Sequence, residues 1–265
     1  MALGHEALSH LGSLKPPVYE TSTFVFETAE EGKRFFEQAY GNADGEAAGY
    51  IYSRLDSPNL GPAEARLARW EEAEDAAIFS SGMGAITSVL LTFLRPGDLV
   101  LYSTPTYGGT STLMNGLLTE FGVATRPFRS DATAEDLEEL IGDGSLAMVY
   151  VETPANPTNA LTDIGACAEV ARTAGGDDPA IVAVDNTFLG PLWQHPLEHG
   201  ADLVLYSLTK FVGGHSDLIA GACLGPADLI SEIKATRTFL GSMAGPWTGW
   251  LLLRSLETLK LRMTS

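Results

Sequence analysis

Cysteine is scarce in this sequence. Cys167 and Cys223 are the two thiols in 265 residues, both in apolar surroundings, which excludes a disulfide framework and points to a reducing compartment. Basic residues are few as well. Sixteen Lys and Arg stand against 34 Asp and Glu, for a net charge of −18, and this argues against nucleic acid or an anionic membrane surface as a partner. Long hydrophobic runs are missing: no apolar stretch reaches spanning length, and the N-terminus lacks the charged-then-apolar pattern of an export signal. The expectation is a soluble cytoplasmic protein with no membrane partner. Internal repeats and low-complexity segments are also absent.

What is present is the material for a core. With 45% hydrophobic content, a chain of this length can bury one large domain with or without appendages. A polar N-terminal arm runs to about residue 57. It contains the extended-looking PPVYETSTF segment from Pro16 to Phe24 and a Gly/Ala/Asp-rich tract at 41 to 49 that reads as a mobile loop. From Pro62 a helical pattern leads to a short strand at Asp75 to Phe79. Strand and helix patterns then alternate: strands at Leu99 to Tyr102 and Leu146 to Val151, helices near Ser111 to Phe121 and Ile164 to Ala174, then two more apolar runs. Alternation of this kind implies crossover connections and a mostly parallel sheet covered on both faces, an α/β/α sandwich with its ligand at the carboxyl ends of the strands.

The last two runs carry the chemistry. AIVAVDNT, from Ala180, ends at Asp185, Asn186 and Thr187, and ADLVLYSLTK, from Ala201, ends at Ser207, Thr209 and Lys210. A lysine and an aspartate at one sheet edge are what pyridoxal 5'-phosphate requires: an amine to bond the aldehyde, and an acid to keep the pyridine nitrogen protonated. Either residue alone reads as an ordinary strand end. Ser80-Ser81-Gly82-Met83-Gly84 follows a strand and opens an apolar helix, so its amides can hold an anion. Alone it is equally a glycine-containing cap. It is not a dinucleotide fingerprint, since Thr87 stands at the third glycine position and no acidic strand end follows at the required distance. Ser207 and Thr209, just before the lysine, could bind the same phosphate.

Six segments in order, Tyr52-Ser53-Arg54, Ser81-Gly82-Met83-Gly84, Thr106-Tyr107-Gly108, Glu152-Thr153-Pro154-Ala155-Asn156-Pro157, Val184-Asp185-Asn186-Thr187 and Ser207-Leu208-Thr209-Lys210, resemble the Cys/Met-metabolism pyridoxal phosphate enzymes. These are the cystathionine gamma-synthases, cystathionine and methionine gamma-lyases and their relatives. The resemblance covers nearly the whole chain from about residue 15. It implies a fold-type I large domain over 58–262, preceded by an arm over 1–57, with 263–265 as the start of a C-terminal domain that this chain is expected to lack.

Its further implications are residue by residue. Lys210 looks like the lysine that bonds the cofactor and moves protons, Asp185 like the partner of the pyridinium nitrogen, Tyr107 like the tyrosine stacked on the ring, and Asn156 like the amide on the ring hydroxyl. Thr187 accompanies Asp185 and is expected to contact the cofactor. Gly82, Met83, Ser207 and Thr209 resemble the phosphate cup. Tyr52 and Arg54 resemble residues that reach the phosphate of the neighbouring subunit, which implies a homodimer with shared sites and a tetramer as the usual assembly.

The activity implied is elimination or replacement at Cγ or Cβ of a sulfur-containing or O-acyl amino acid. A C–S lyase of the cystathionine or methionine gamma-lyase type is expected. A gamma-replacing synthase or sulfhydrylase, and a truncated cofactor-binding protein without efficient turnover, remain alternatives. Two departures bear on this. Methionine gamma-lyases often carry a cysteine shortly after the stacking tyrosine, where this chain has Gly108-Gly109-Thr110, and the expected C-terminal domain would supply the arginine that grips the substrate carboxylate. His195 and His199 are four apart, but Pro196 lies between them and no third ligand is evident, so no metal is expected. His215 reads as part of a loop supporting the site, Trp193, Trp247 and Trp250 as core or interface aromatics, and Cys223 as a packed strand residue.

Overall fold

A computed structural model of the chain describes residues 3–39, 49–174 and 179–265. The tract read as a mobile loop lies, apart from Gly49, outside the described residues. In chain order the helices and strands are α1 (Ala29–Ala39), α2 (Gly61–Glu71), β1 (Asp75–Phe79), α3 (Gly82–Phe93), β2 (Leu99–Thr104), α4 (Gly108–Leu113, continued by a π turn at Met114–Leu118), β3 (Ala124–Arg129), α5 (Ala134–Ile141), β4 (Leu146–Glu152) and α6 (Ile164–Ala174). They continue with β5 (Ile181–Asp185), α7 (Gly190–Trp193), β6 (Leu203–Tyr206), β7 (Gly221–Gly225), α8 (Ala227–Leu240), α9 (Pro246–Leu256) and α10 (Leu259–Thr264).

Among the described residues these strands form one sheet in the order β1-β7-β6-β5-β4-β2-β3. All neighbours are parallel except β7, which runs antiparallel to both β1 and β6. The strands carry apolar residues on both faces because both are covered. On one face α3 and α8 pack over Phe79, Tyr102, Tyr150 and Leu205. On the other, α2 and α9 cover the β1 side around Ile78, Tyr206 and Leu252, and α5 and α6 cover Leu101, Val149 and Val184.

β3 and β7 fall outside the sequence reading. β3 carries Pro127 between Arg126 and Arg129 and is largely exposed, as an edge strand can be. β7 is short and bounded by glycines; a Cβ at Gly221 would strike the Ser81 carbonyl, so that strand can lie against the start of α3 because residue 221 has no side chain. Cys223 is buried in it, as expected. The arm contains a helix, α1, between the extended segment and the loop tract, in a stretch to which the sequence reading assigns no element, and it folds back on itself through the Thr23–Tyr52 bridge and the Phe24 N–H donating to Ile51. The domain boundary expected at 263 falls inside α10. Trp193 and Trp247 are more than half exposed, so neither is a core residue of this chain.

Candidate active site

Parallel strands joined by crossovers all end at one edge of the sheet, and there β5 and β6 place their polar termini side by side. Asp185 pairs in register with Leu205 on one side and with Glu152 of β4 on the other. β6 ends at Tyr206, and the chain then turns through Ser207, Thr209 and Lys210. The lysine is therefore carried on a turn beyond the strand and not on the strand itself. A cavity of about 250 Å³ opens at this edge, lined among others by Lys210, Ser207, Thr209, Asp185, Thr187, Tyr107, Asn156, Gly82 and Met83. Nine of the eleven expected site residues are thus brought together. Tyr52 and Arg54 are not. The Arg54 guanidinium lies 5.4 Å from the Tyr52 ring centre and donates to the Thr238 carbonyl at 2.6 Å, away from the cavity of its own chain.

The Asp185 carboxylate is held firmly. Its Oδ1 accepts from Thr187 Oγ1 at 2.6 Å and from the Thr187 N–H at 3.1 Å, while the Tyr150 hydroxyl donates to Oδ2 at 3.4 Å. Burial pushes its pKa up to about 6; the nearby Glu152 adds to that, and the Thr187 and Tyr150 bonds oppose it. Thr187 Oγ1 also accepts from the Ser207 N–H at 2.8 Å. One hydroxyl therefore ties the end of β5 to the lysine turn. Thr187 was expected to contact the cofactor, yet its visible work is to orient Asp185 and anchor Ser207.

At the opposite wall, the first amides of α3 lack intrahelical partners, as in any helix. The Ser81 side chain caps the Gly84 N–H at 2.9 Å, and the Gly82 and Met83 N–H groups remain at the cavity. A Cβ at residue 82 would come within 3.1 Å of the Ser207 Cβ and 3.3 Å of its Oγ. Glycine here keeps a small, donor-lined cradle open between the helix start and the lysine turn. Such a donor set suits a phosphate. Residue 109 is also glycine for a visible reason: a Cβ there would lie 2.7 Å from the Tyr107 ring, which folds back beside Met83.

Glu152 carries a role that the sequence reading leaves unassigned. Its buried carboxylate accepts from the Tyr107 N–H at 2.6 Å, from Thr106 Oγ1 at 2.8 Å and from the Asn156 N–H at 2.8 Å. It therefore sets the two loops that present Tyr107 and Asn156. A carboxylate closing the apolar run of β4 is the same signal that singles out Asp185. Beneath the floor, Tyr206 donates to Glu71 of α2 and accepts from Asn186 Nδ2 at 2.8 Å. No sequence pattern connects residues so far apart.

A mostly parallel sheet with a lysine, an aspartate and an anion-accepting helix start at one edge is the architecture of a fold-type I pyridoxal phosphate-dependent enzyme. The residues present fit that cofactor: the donor-lined cradle matches its phosphate, Asp185 its ring nitrogen and Lys210 its aldehyde. The chain belongs to the Cys/Met metabolism PLP-dependent enzyme family, whose model matches residues 2–265. It is 41% identical to an L-methionine gamma-lyase of Pseudomonas deceptionensis over 98% of this chain and 63% of that protein. Among solved structures, metB from Corynebacterium glutamicum superposes with a TM-score of 0.85 at 31% identity, over 98% of this chain and 63% of the other. A cystathionine gamma synthase from Xanthomonas oryzae in complex with cystathionine gives 0.82 at 33%, over 94% and 59%. The chain thus spans less than two thirds of the length of these relatives. No helix among the described residues is long and apolar enough to cross a membrane.

Proposed function

We propose that this chain forms the cofactor-binding part of a C–S lyase that performs elimination or replacement at Cγ or Cβ of a sulfur-containing or O-acyl amino acid in the cytoplasm. The observation that carries the reading is the meeting of Lys210, Asp185 and the amide-lined start of α3 in one cavity. When bound, the cofactor supplies an electron-withdrawing ring that stabilises negative charge at the substrate Cα. Asp185 holds the proton on the pyridine nitrogen. Lys210 would hold the cofactor through its aldehyde, and its amine is the group placed to move a proton between the substrate Cα and the departing group. Gly82, Met83, Ser207 and Thr209 would hold the phosphate, Asn156 would donate to the ring hydroxyl, and Tyr107 would cover the ring and exchange a proton with substrate. Tyr52 and Arg54 serve the cavity of a neighbouring copy in a homodimer or tetramer. That role is supported by the absence of both residues from the lining of their own chain's cavity, and by the suitability of a guanidinium for bidentate phosphate contact.

Borohydride reduction of the protein incubated with pyridoxal 5'-phosphate tests the central assignment. Peptide mass spectrometry should place the reduced cofactor on Lys210, and its appearance on another lysine would refute the reading. A gamma-replacing synthase uses the same cavity, and the likeness to a cystathionine gamma synthase favours that second reading. Product analysis with and without an added thiol separates the two.

A further inference from the structure

Arg262 on α10 spends its guanidinium on the backbone next to Lys210. Nη1 donates to the Phe211 carbonyl at 2.7 Å and Nη2 to the Val212 carbonyl at 2.9 Å; these are the two residues that follow the lysine. The remaining donors hold the arginine itself. Nη2 also reaches the Ser255 carbonyl at 2.9 Å and Nε reaches Thr258 Oγ1 at 3.0 Å.

The lysine turn is a short coil of chain, outside any helix or strand, closed by its own amides. The Lys210 N–H donates to Ser207 at 3.1 Å, Gly213 to Leu208 at 2.8 Å and Gly214 to Lys210 at 2.8 Å. Such a coil leaves its last carbonyls without amide partners, and a basic side chain is suited to accept that role. Gly214 completes the arrangement. It adopts a left-handed φ of +70°, and a Cβ there would collide with Arg262 Nη1. The glycine leaves the space that the guanidinium fills.

The geometry points to Arg262 as a positioning residue for Lys210: a planar fork that fixes the turn, and with it the direction from which the amine meets the cofactor aldehyde. This rests on the reading of Lys210 as the cofactor-bonding lysine. It also makes the reactivity of the lysine depend on where α10 sits. A lysine at 262 keeps the charge but cannot reach two carbonyls in a plane. Tethering through Arg254 and Asp217, 2.9 Å apart, holds the loop further along but does not touch Lys210 or its two successors.

The test compares the parent chain with Arg262→Ala and Arg262→Lys by two measurements. Amide hydrogen exchange is read without cofactor. The Gly213 and Gly214 N–H groups should exchange about tenfold faster in Arg262→Ala, while those of Val204 and Leu205 in β6 keep their rates. Capture of pyridoxal 5'-phosphate is then followed by the visible absorbance of the lysine linkage and by borohydride mapping. Both variants should capture it on Lys210 about tenfold more slowly or worse, and Arg262→Ala should regain rate on addition of dilute guanidinium. Should Arg262→Ala fail to fold, Arg262→Lys decides by the same readouts. Parental capture rates in the folded variants overturn the inference whatever the exchange shows. Capture on a different lysine in the parent sinks the functional reading instead, and the exchange rates then decide by themselves whether Arg262 holds the turn.

Discussion

Replacing Glu71 by glutamine should make the protein more resistant to alkaline unfolding. Glu71 is 1% exposed on α2, and its carboxyl accepts from the Tyr206 hydroxyl, while its other oxygen has no partner. Burial pushes its pKa from 4.5 up to about 8; the Tyr206 bond opposes the rise, and Glu198 adds to it. The folded chain therefore holds this proton far more tightly than the unfolded chain. The associated stability is complete below pH 4.5 and is lost as pH rises through about 8. At 1.36 kcal/mol for each pKa unit, the loss over that window is about 5 kcal/mol, and about 3 kcal/mol of it has gone by pH 7. A glutamine carbonyl still accepts from Tyr206 but does not titrate. Its amide N–H2 group adds a constant offset of about 1–2 kcal/mol if unpaired, which displaces the curve without tilting it. Urea unfolding of parent and Glu71→Gln between pH 4.5 and 9 reads the difference, in which all other titrating groups cancel. The variant should gain steadily on the parent as pH rises. Parallel curves would mean that Glu71 is ionised in the fold and that the argument from burial is wrong.

Three further outcomes are expected. Asp185→Asn should retain cofactor yet lose turnover by about a hundredfold or more, because a neutral amide cannot sustain the ring proton; in the parent, cofactor affinity should strengthen as pH rises through about 6, where Asp185 ionises, and equilibrium binding should show no such step in the variant. Glu152→Ala leaves two amides and a hydroxyl unpaired and should cost about 3 kcal/mol in denaturant unfolding, with Glu152→Gln recovering part of it; an unchanged midpoint would remove Glu152 from its role in setting Tyr107 and Asn156. Mixing Arg54→Ala with Lys210→Ala chains under conditions of subunit exchange should restore activity, since a mixed dimer can form one intact site; persistent inactivity would refute site sharing.

Whatever depends on short stretches of chain was legible in the sequence. Apolar runs of four to seven residues marked β1, β2, β4, β5 and β6, because a buried strand must be apolar on both faces. The polar residues closing those runs marked the site, because parallel strands joined by crossovers end at the same edge. Charges and hydroxyls whose surroundings come from distant segments took their roles only from the packed fold. Arg237 of α8, to which the sequence reading assigns no role, is buried and donates to Glu64 and to the Ile78 carbonyl, each at 2.7 Å, tying α2 and α8 to the edge strand β1. Glu71 becomes a proton store only once the assembled fold buries it, beside Tyr206, 135 residues along the chain. Arg262 reaches the lysine turn across about 50 residues. Desolvation and hydrogen bonding act through space, and spacing along the chain carries no record of them until the sheet has been assembled.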